Sequence, residues 1–268
     1  MHELITSRKN PFVMRMAKLS EKKYRDAEGL FRIDGVKLFT EAFDSGLVIE
    51  AVFLAASRKE RLTDELGLRL AAIPDAVFEV SDEVLSKLTD ETAPQGIVTV
   101  IKKFDTLPAD IPASDDFRAL YLSQIRDPGN LGTMIRTACA FGVDRVYVSA
   151  DCADIYSPKT VRAAMGTIFR QKLSVVRDET AFIEKMKAAG CEVCAAALKE
   201  DAVMLGSFPM PKRVCFAVGN EGHGLSEAVI DACSRTVLIP MEPGCESLNA
   251  ASAAAVLIWE MCRGRLIQ

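Results

Sequence analysis

The chain has 268 residues, with 33 Lys+Arg against 37 Asp+Glu for a net charge of −4, and 49% of its residues are hydrophobic. That composition excludes a disordered chain, a collagen-like repeat and a disulfide-stapled mini-protein. The length fits one large or two modest domains, and we expect two, each burying its own core.

Charge is unevenly spread. Residues 1–37 carry nine Lys/Arg against five acids, net +4, which leaves −8 for the remainder. A basic arm of this kind can contact phosphates, although the same pattern also describes a solvated helix face. Helical spacing follows over Asp34–Ser45, Val52–Leu54 and Val77–Val80 read as short strands, and Gly96–Ile101 reads as a buried strand. These elements predict a small α/β domain over residues 1–103. Two prolines and four aspartates between Phe104 and Asp116 mark a linker at 104–116, and the second domain is expected over 117–268.

Beyond the linker, apolar β-branched runs alternate with helical segments: Leu120–Leu122, Val146–Val148, Leu173–Val176, Val193–Ala197, Cys215–Val218 and Val237–Ile239. That alternation implies a mostly parallel sheet covered on both faces. Ligands of such sheets bind beyond the carboxyl ends of the strands, so the following loops are where chemistry is expected. Three stand out.

The first is SQIRDPGNLG at Ser123–Gly132, before a helix expected from roughly Leu131 to Phe141. Pro128-Gly129 sets a turn, Asn130 is a candidate cap, and Arg136 lies far enough forward in the helix to face the same cavity. The second is GNEGHG at Gly219–Gly224, where three glycines permit close backbone approach to a ligand and Glu221 supplies an acceptor. The third is IPMEPGCESLN at Ile239–Asn249, with Ser247 as a candidate cap for a helix over Ala250–Met261. The small residues of that helix allow close packing against a core, a chain crossing or a second subunit. Each loop also has a plain structural reading as a turn or a cap.

Other features limit the chemistry. Met1–Leu4 include Glu3 and no apolar run, so a secretory signal is not expected. The longest apolar-and-small stretch, Ala250 to Trp259, ends at Glu260 and falls short of the roughly 20 residues a bilayer needs, so no membrane span is expected. Eight cysteines lie between Cys139 and Cys262 without a spacing framework, as in a reducing cytoplasmic setting. The C-x-x-C at Cys191 and Cys194 has no second pair or nearby His, and no metal is expected. Only His2 and His223 are present, so a histidine-based triad would have to rest on His223, and none is expected.

Together the loops resemble the three motifs of the SpoU-type (TrmH-like) ribose 2′-O-methyltransferases of the SPOUT superfamily. The resemblance is carried by DPGNLGTMIRTA at Asp127–Ala138, VGNEGHGL at Val218–Leu225 and IPMEPGCESLNAASA at Ile239–Ala253, with SPKTVRAAMGTIFR at Ser157–Arg170 similar to the stretch between the first two. Upstream, Ile5–Arg25, Ile33–Leu38 and Gln95–Val100 are similar to the small ribosomal-protein-like substrate-binding domain that often precedes this catalytic unit.

The resemblance implies a deep C-terminal trefoil knot that binds S-adenosyl-L-methionine, a homodimer, and methyl transfer to a ribose 2′-hydroxyl of ribosomal or transfer RNA, with ribosomal RNA preferred. Leu198, Gly219, Ile239 and Leu248 would line the adenosyl pocket. Arg136 matches the family arginine proposed as base, and Asn130, Glu221, Ser247 and Asn249 match the remaining polar positions that orient ribose, arginine and loops. Because free guanidinium has a pKa above about 12, Arg136 can instead act as a cation clamping the target phosphate. The basic run supplies the expected RNA contacts at Arg8, Lys9, Arg15, Lys18, Lys22, Lys23 and Arg25. Two rivals compete. A Rossmann dinucleotide enzyme would use Gly129 and Gly132, with Asp151 on the ribose, but six residues separate strand from glycine and the spacing is G-x-x-G. A non-catalytic RNA-binding or ribosome-assembly factor would not need the five-residue polar set.

Overall fold

A computed structural model describes residues 3–242, 244 and 247–266. The chain forms two compact units, the first holding residues up to Phe104 together with Asp154–Phe169, and the second holding Asp105–Ala153 and Arg170 onward.

In the first unit the basic run folds into α1 (Pro11–Ala17) and α2 (Lys22–Glu28). Asn10 caps α1, its Oδ1 accepting the Phe12 N–H at 2.9 Å, with Pro11 at the position where a missing N–H costs nothing. Gly29 ends α2 in the left-handed region at φ +64°. Then follow β1 (Leu30–Asp34), α3 (Val36–Asp44), β2 (Ile49–Ala55), α4 (Lys59–Ala71), β3 (Val77–Val80), α5 (Asp82–Leu88) and β4 (Ile97–Lys102). The sheet order is β1-β4-β2-β3, parallel only between β2 and β3. Alternation along β2 divides the core: Ala51, Phe53 and Ala55 pack with Val13, Met16, Leu19 and Leu88, whereas Val52 and Leu54 pack with Phe39, Leu62 and Leu66. Strand β1 was not expected, because its central Arg32 is buried at 1% exposure and paired with Asp90 at 2.7 Å. A charge in the middle of a strand hides the apolar pattern. The helix expected from Asp34 starts at Val36, since Asp34 closes β1 and Gly35 turns the chain at φ +96°.

The second unit begins with residues 105–116, the segment expected as a linker. Leu107 N–H donates to Leu173 O at 2.8 Å, and the Arg145 and Arg213 guanidinium groups donate to the carbonyls of Pro108 at 3.1 Å and Pro112 at 3.0 Å. Strand β5 (Phe117–Leu122), α6 (Pro128–Ala140) and β6 (Arg145–Ser149) follow. The chain then contributes Asp154–Phe169, with α7 (Pro158–Ala164), to the first unit. There Tyr156 packs its ring 5.3 Å from that of Phe31. The second unit resumes with β7 (Leu173–Val176), α8 (Glu179–Ala188), β8 (Glu192–Ala196), β9 (Val203–Met204), β10 (Arg213–Val218), α9 (Glu227–Ala232), β11 (Arg235–Leu238) and α10 (Ala250–Leu266). Seven strands pair in parallel in the order β7-β6-β5-β10-β8-β11-β9. The two-residue edge strand β9 was too short to show a pattern. Parallel pairing brings the ends of β5, β8, β10 and β11 to one edge of the sheet, which gathers loops separated by more than a hundred residues. Among the described residues no helix is long and apolar enough to cross a membrane.

Candidate functional site

The loop after β10 folds back on itself. Asn220 N–H donates to Gly224 O at 3.0 Å and Gly224 N–H returns to Asn220 O at 2.9 Å. This closure requires glycine at 219, where a Cβ would overlap the backbone of Gly224 and Leu225. Asn220 Oδ1 accepts the N–H groups of Gly222 at 2.8 Å and His223 at 3.2 Å, and its Nδ2 donates to Gln124 O at 2.9 Å.

Beneath this loop lies a cavity of about 470 Å³ walled by the ends of β8, β10 and β11 and the start of α10. Leu198, Gly219, Ile239 and Leu248, four residues expected at the cofactor, all line it, as do Glu221 and Ser247. Its size lies within the roughly 300–1,000 Å³ of small-molecule sites. The wall offers main-chain groups and apolar side chains, with Lys199 and Glu227 paired at 2.5 Å. That surface fits a nucleoside whose base is recognised by backbone and whose ring packs against apolar groups.

A row of polar side chains ties the three loops together. Asn249 Nδ2 donates to Asn130 Oδ1 at 3.2 Å, and Asn130 Nδ2 donates to Glu221 Oε1 at 3.0 Å. Glu221 also accepts the backbone N–H groups of Arg126 and Asp127, both at 3.2 Å. Desolvation opposes its charge, but the bond from Asn130 and those from the backbone outweigh that cost and hold the carboxyl below its ordinary value.

The caps differ from expectation, and the difference supplies this row. Asp127, not Asn130, caps α6: its Oδ1 accepts the Asn130 N–H at 2.8 Å, with Pro128 in the first helical position. The Asn130 side chain is thereby left for Glu221 and Asn249. At α10 the cap is Asn249 rather than Ser247, its Oδ1 accepting from Ala251 at 2.9 Å and Ser252 at 3.3 Å.

Arg136, expected to face the cavity, is not among the residues that line it. Six residues after Asn130, it is turned by roughly 120° around the helix, and so the two do not share a face. It is exposed and makes no hydrogen bond or ion pair among the described residues. Asn130 and Asn249 also lie outside the cavity wall.

Of the expected RNA contacts, Arg25 is corrected. It is 3% exposed, donates to the carbonyls of Leu19 and Ser20, and pairs with Asp154 at 2.6 Å, so no surface of it remains for phosphate. Arg15, Lys22 and Lys23 are exposed but paired with Glu28, Asp26 and Glu21 at 2.6, 2.7 and 3.0 Å. Such surface pairs are weak and exchangeable. Lys18 and Lys23 lie 5.2 and 4.8 Å from the centre of the Tyr24 ring, and Arg8 and Lys9 are exposed before α1. Cys191 and Cys194 are buried, and desolvation pushes the Cys191 thiol up to about 12 and Cys194 further in the same direction, opposite to a reactive thiolate.

Sequence reasoning passed over Asn220 and Gln124. Gln124 takes φ +55° without being glycine, and nothing local in the sequence signals it.

The SpoU rRNA Methylase family model matches residues 118–259, and the MRM3-like substrate binding domain model matches residues 10–99. A Bacillus subtilis protein named 23S rRNA (guanosine(2553)-2′-O)-methyltransferase RlmP is 31% identical, with 96% of this chain and 98% of that protein covered. A Synechocystis protein described as an uncharacterized tRNA/rRNA methyltransferase is 32% identical, with 97% and 93% covered. The AdoMet-bound rRNA methyltransferase from Sinorhizobium meliloti, a crystal structure, matches at TM-score 0.87 and 31% identity over 98% of both chains. With its parallel sheet, its edge cavity and these matches spanning both units, the chain belongs to the SpoU rRNA methylase family.

Proposed function

We propose that this protein transfers a methyl group from S-adenosyl-L-methionine to a ribose 2′-hydroxyl of ribosomal RNA. The observation that carries the reading is the convergence of Leu198, Gly219, Ile239 and Leu248 on one cavity whose wall includes Glu221, the end of the Asn249–Asn130–Glu221 row. When bound there, the cofactor supplies a sulfonium-activated methyl. The chain's own task is alignment, and holding two reactants in near-attack geometry can remove about 7–11 kcal/mol from such a barrier.

Asn130 and Asn249 orient the acceptor ribose, and Glu221 holds the turn before α6 by its N–H groups. Arg136, a planar cation unengaged by the described residues, clamps the target phosphate while the hydroxyl proton leaves to another acceptor; a guanidinium with pKa above about 12 makes the alternative role of base more costly. Residues 117–268 form the catalytic domain in this reading, and residues 1–103 hold RNA through Arg8, Lys9, Arg15, Lys18, Lys22 and Lys23. The choice of ribosomal RNA is supported by the named activity of the Bacillus relative, and a cytoplasmic location accords with it. A homodimer is supported by exposed Leu248, Val256 and, at 44% exposure, Trp259, on or beside α10, which packs against the Arg136 helix. The trefoil knot completes the reading, supported by the second and third loops, which share one cavity.

The test compares ribose-methylation maps of ribosomal RNA from cells with and without the gene. Loss of one 2′-O-methyl site is expected. Unchanged maps, together with no calorimetric binding of S-adenosylmethionine, would overturn the proposal.

A further inference from the structure

We propose that Asn220 is a positioning residue that couples the cofactor loop to the acceptor loop, setting Asn130 and Glu221 only when the loop over the cavity is closed. The inference rests on the reading of the cavity as the S-adenosylmethionine site.

One carboxamide works on both sides. Its Oδ1 holds Gly222 and His223, two residues of the cavity wall, and its Nδ2 holds the carbonyl of Gln124, at the point where the chain leaves β5 for the acceptor loop. Because the carboxamide is planar and stiff, a displacement of the wall that turns Oδ1 also turns Nδ2. Motion of the cofactor loop is therefore felt at Gln124.

Gln124 is the place where such a pull has effect. Its φ of +55° is strained for a residue bearing a Cβ, and strain of this kind persists only where neighbours enforce it. The one other positive-φ residue with a side chain among the described residues, Met165, merely ends α7. Gln124 is gripped on both sides of its α-carbon: its N–H donates to Ser149 Oγ at 2.8 Å and its carbonyl accepts from Asn220. Two residues on, Arg126 N–H and then Asp127 N–H meet Glu221, the neighbour of Asn220. Releasing the Gln124 carbonyl lets the strained residue relax, and the relaxation shifts Arg126 and Asp127 away from Glu221 and the cap of α6 with them.

The two sides of Asn220 can be cut separately. Asn220→Asp keeps an acceptor for Gly222 and His223 but sets a carboxylate oxygen against the Gln124 carbonyl. Asn220→Ala removes both sides. Ser149→Ala releases the other end of Gln124 without touching the cavity wall.

The experiment measures S-adenosylmethionine affinity by calorimetry, thermal melting, and kcat and KM for methylation of deproteinised ribosomal RNA from a strain lacking the gene. Asn220→Asp and Ser149→Ala should keep cofactor affinity within about threefold while kcat falls at least about tenfold, as expected for loss of one hydrogen bond that acts on reacting geometry. Asn220→Ala should lose both. Parallel loss of affinity and kcat in Asn220→Asp, or unchanged kcat in either conservative variant, overturns the coupling. Should Asn220→Asp fail to fold, Ser149→Ala decides. A wild-type protein that binds no S-adenosylmethionine refutes the cavity reading instead, and is told apart by that measurement alone.

Discussion

Asn130 and Glu221 stand 91 positions apart in the chain, yet the amide of the first donates to the carboxylate of the second at 3.0 Å. Three N–H donors, from Asn130, Arg126 and Asp127, converge on this one carboxylate. Glu221→Gln keeps the shape but turns an amide donor toward donors. Methyl transfer should fall about 10- to 100-fold, the range for a lost charge-assisted bond, with cofactor affinity changed less. Kinetics beside calorimetry check this, and equal losses in both would count against an acceptor-side role.

The same carboxylate predicts an acid-side signature. Its folded pKa lies below the ordinary 4.5, so its ties stabilise the fold fully above that value and are lost as pH falls through it toward the lowered one. The stability difference between wild type and Glu221→Gln should be constant near neutrality and shrink below about pH 4.5. Urea unfolding at a series of pH values reads it directly, and a difference that grew on acidification would contradict the sign.

Arg136 is exposed and free of partners among the described residues, so its replacement disturbs little structure. Arg136→Lys keeps the charge but loses the planar fork that grips phosphate in two places. Transfer should drop at least about 100-fold with melting temperature and S-adenosylmethionine affinity unchanged. Activity near wild type would remove this residue from the mechanism.

At Gly219 the constraint is one of space, since a Cβ there overlaps the backbone of Gly224 and Leu225. Gly219→Ala must therefore open the loop closed by Asn220 and Gly224. We expect cofactor affinity to fall at least tenfold and melting to drop, by calorimetry and thermal scans. Gly222, whose Cβ would meet only Asn220 Oδ1 at 3.5 Å, should accept alanine with much smaller effect.

The first unit offers a contrast between structural and surface cations. Arg25 and Asp154 are both nearly buried, so Arg25→Met leaves an unpaired buried acid and should destabilise the fold by about 3–5 kcal/mol. Combined Arg8→Gln, Lys9→Gln and Lys18→Gln should leave stability unchanged while reducing the salt dependence of RNA binding, by nearly one unit of slope for each phosphate no longer neutralised. Filter binding of ribosomal RNA across a salt series separates the two effects.

Much of this was written locally. The alternation of β-branched runs with helical spacing announces the parallel sheet, and the loops at 123–132, 219–224 and 239–249 carry their glycines, prolines and polar residues in plain view. Leu198, Gly219, Ile239 and Leu248, singled out by the family resemblance, reach one cavity because parallel strands deliver their ends to one edge.

Other features were settled only by the folded chain. Both Asp127 and Asn130 are good caps by composition, and both Ser247 and Asn249; which one caps depends on the backbone entering each helix, and that choice decides which amide is left for Glu221. Arg25 reads as a phosphate contact until Asp154, 129 residues away, buries it. Gln124 gives no sign of its left-handed backbone because the groups that enforce it, Ser149 and Asn220, are 25 and 96 residues distant. Periodicity and turn chemistry are properties of neighbours along the chain, whereas hydrogen bonds and burial are properties of neighbours in space.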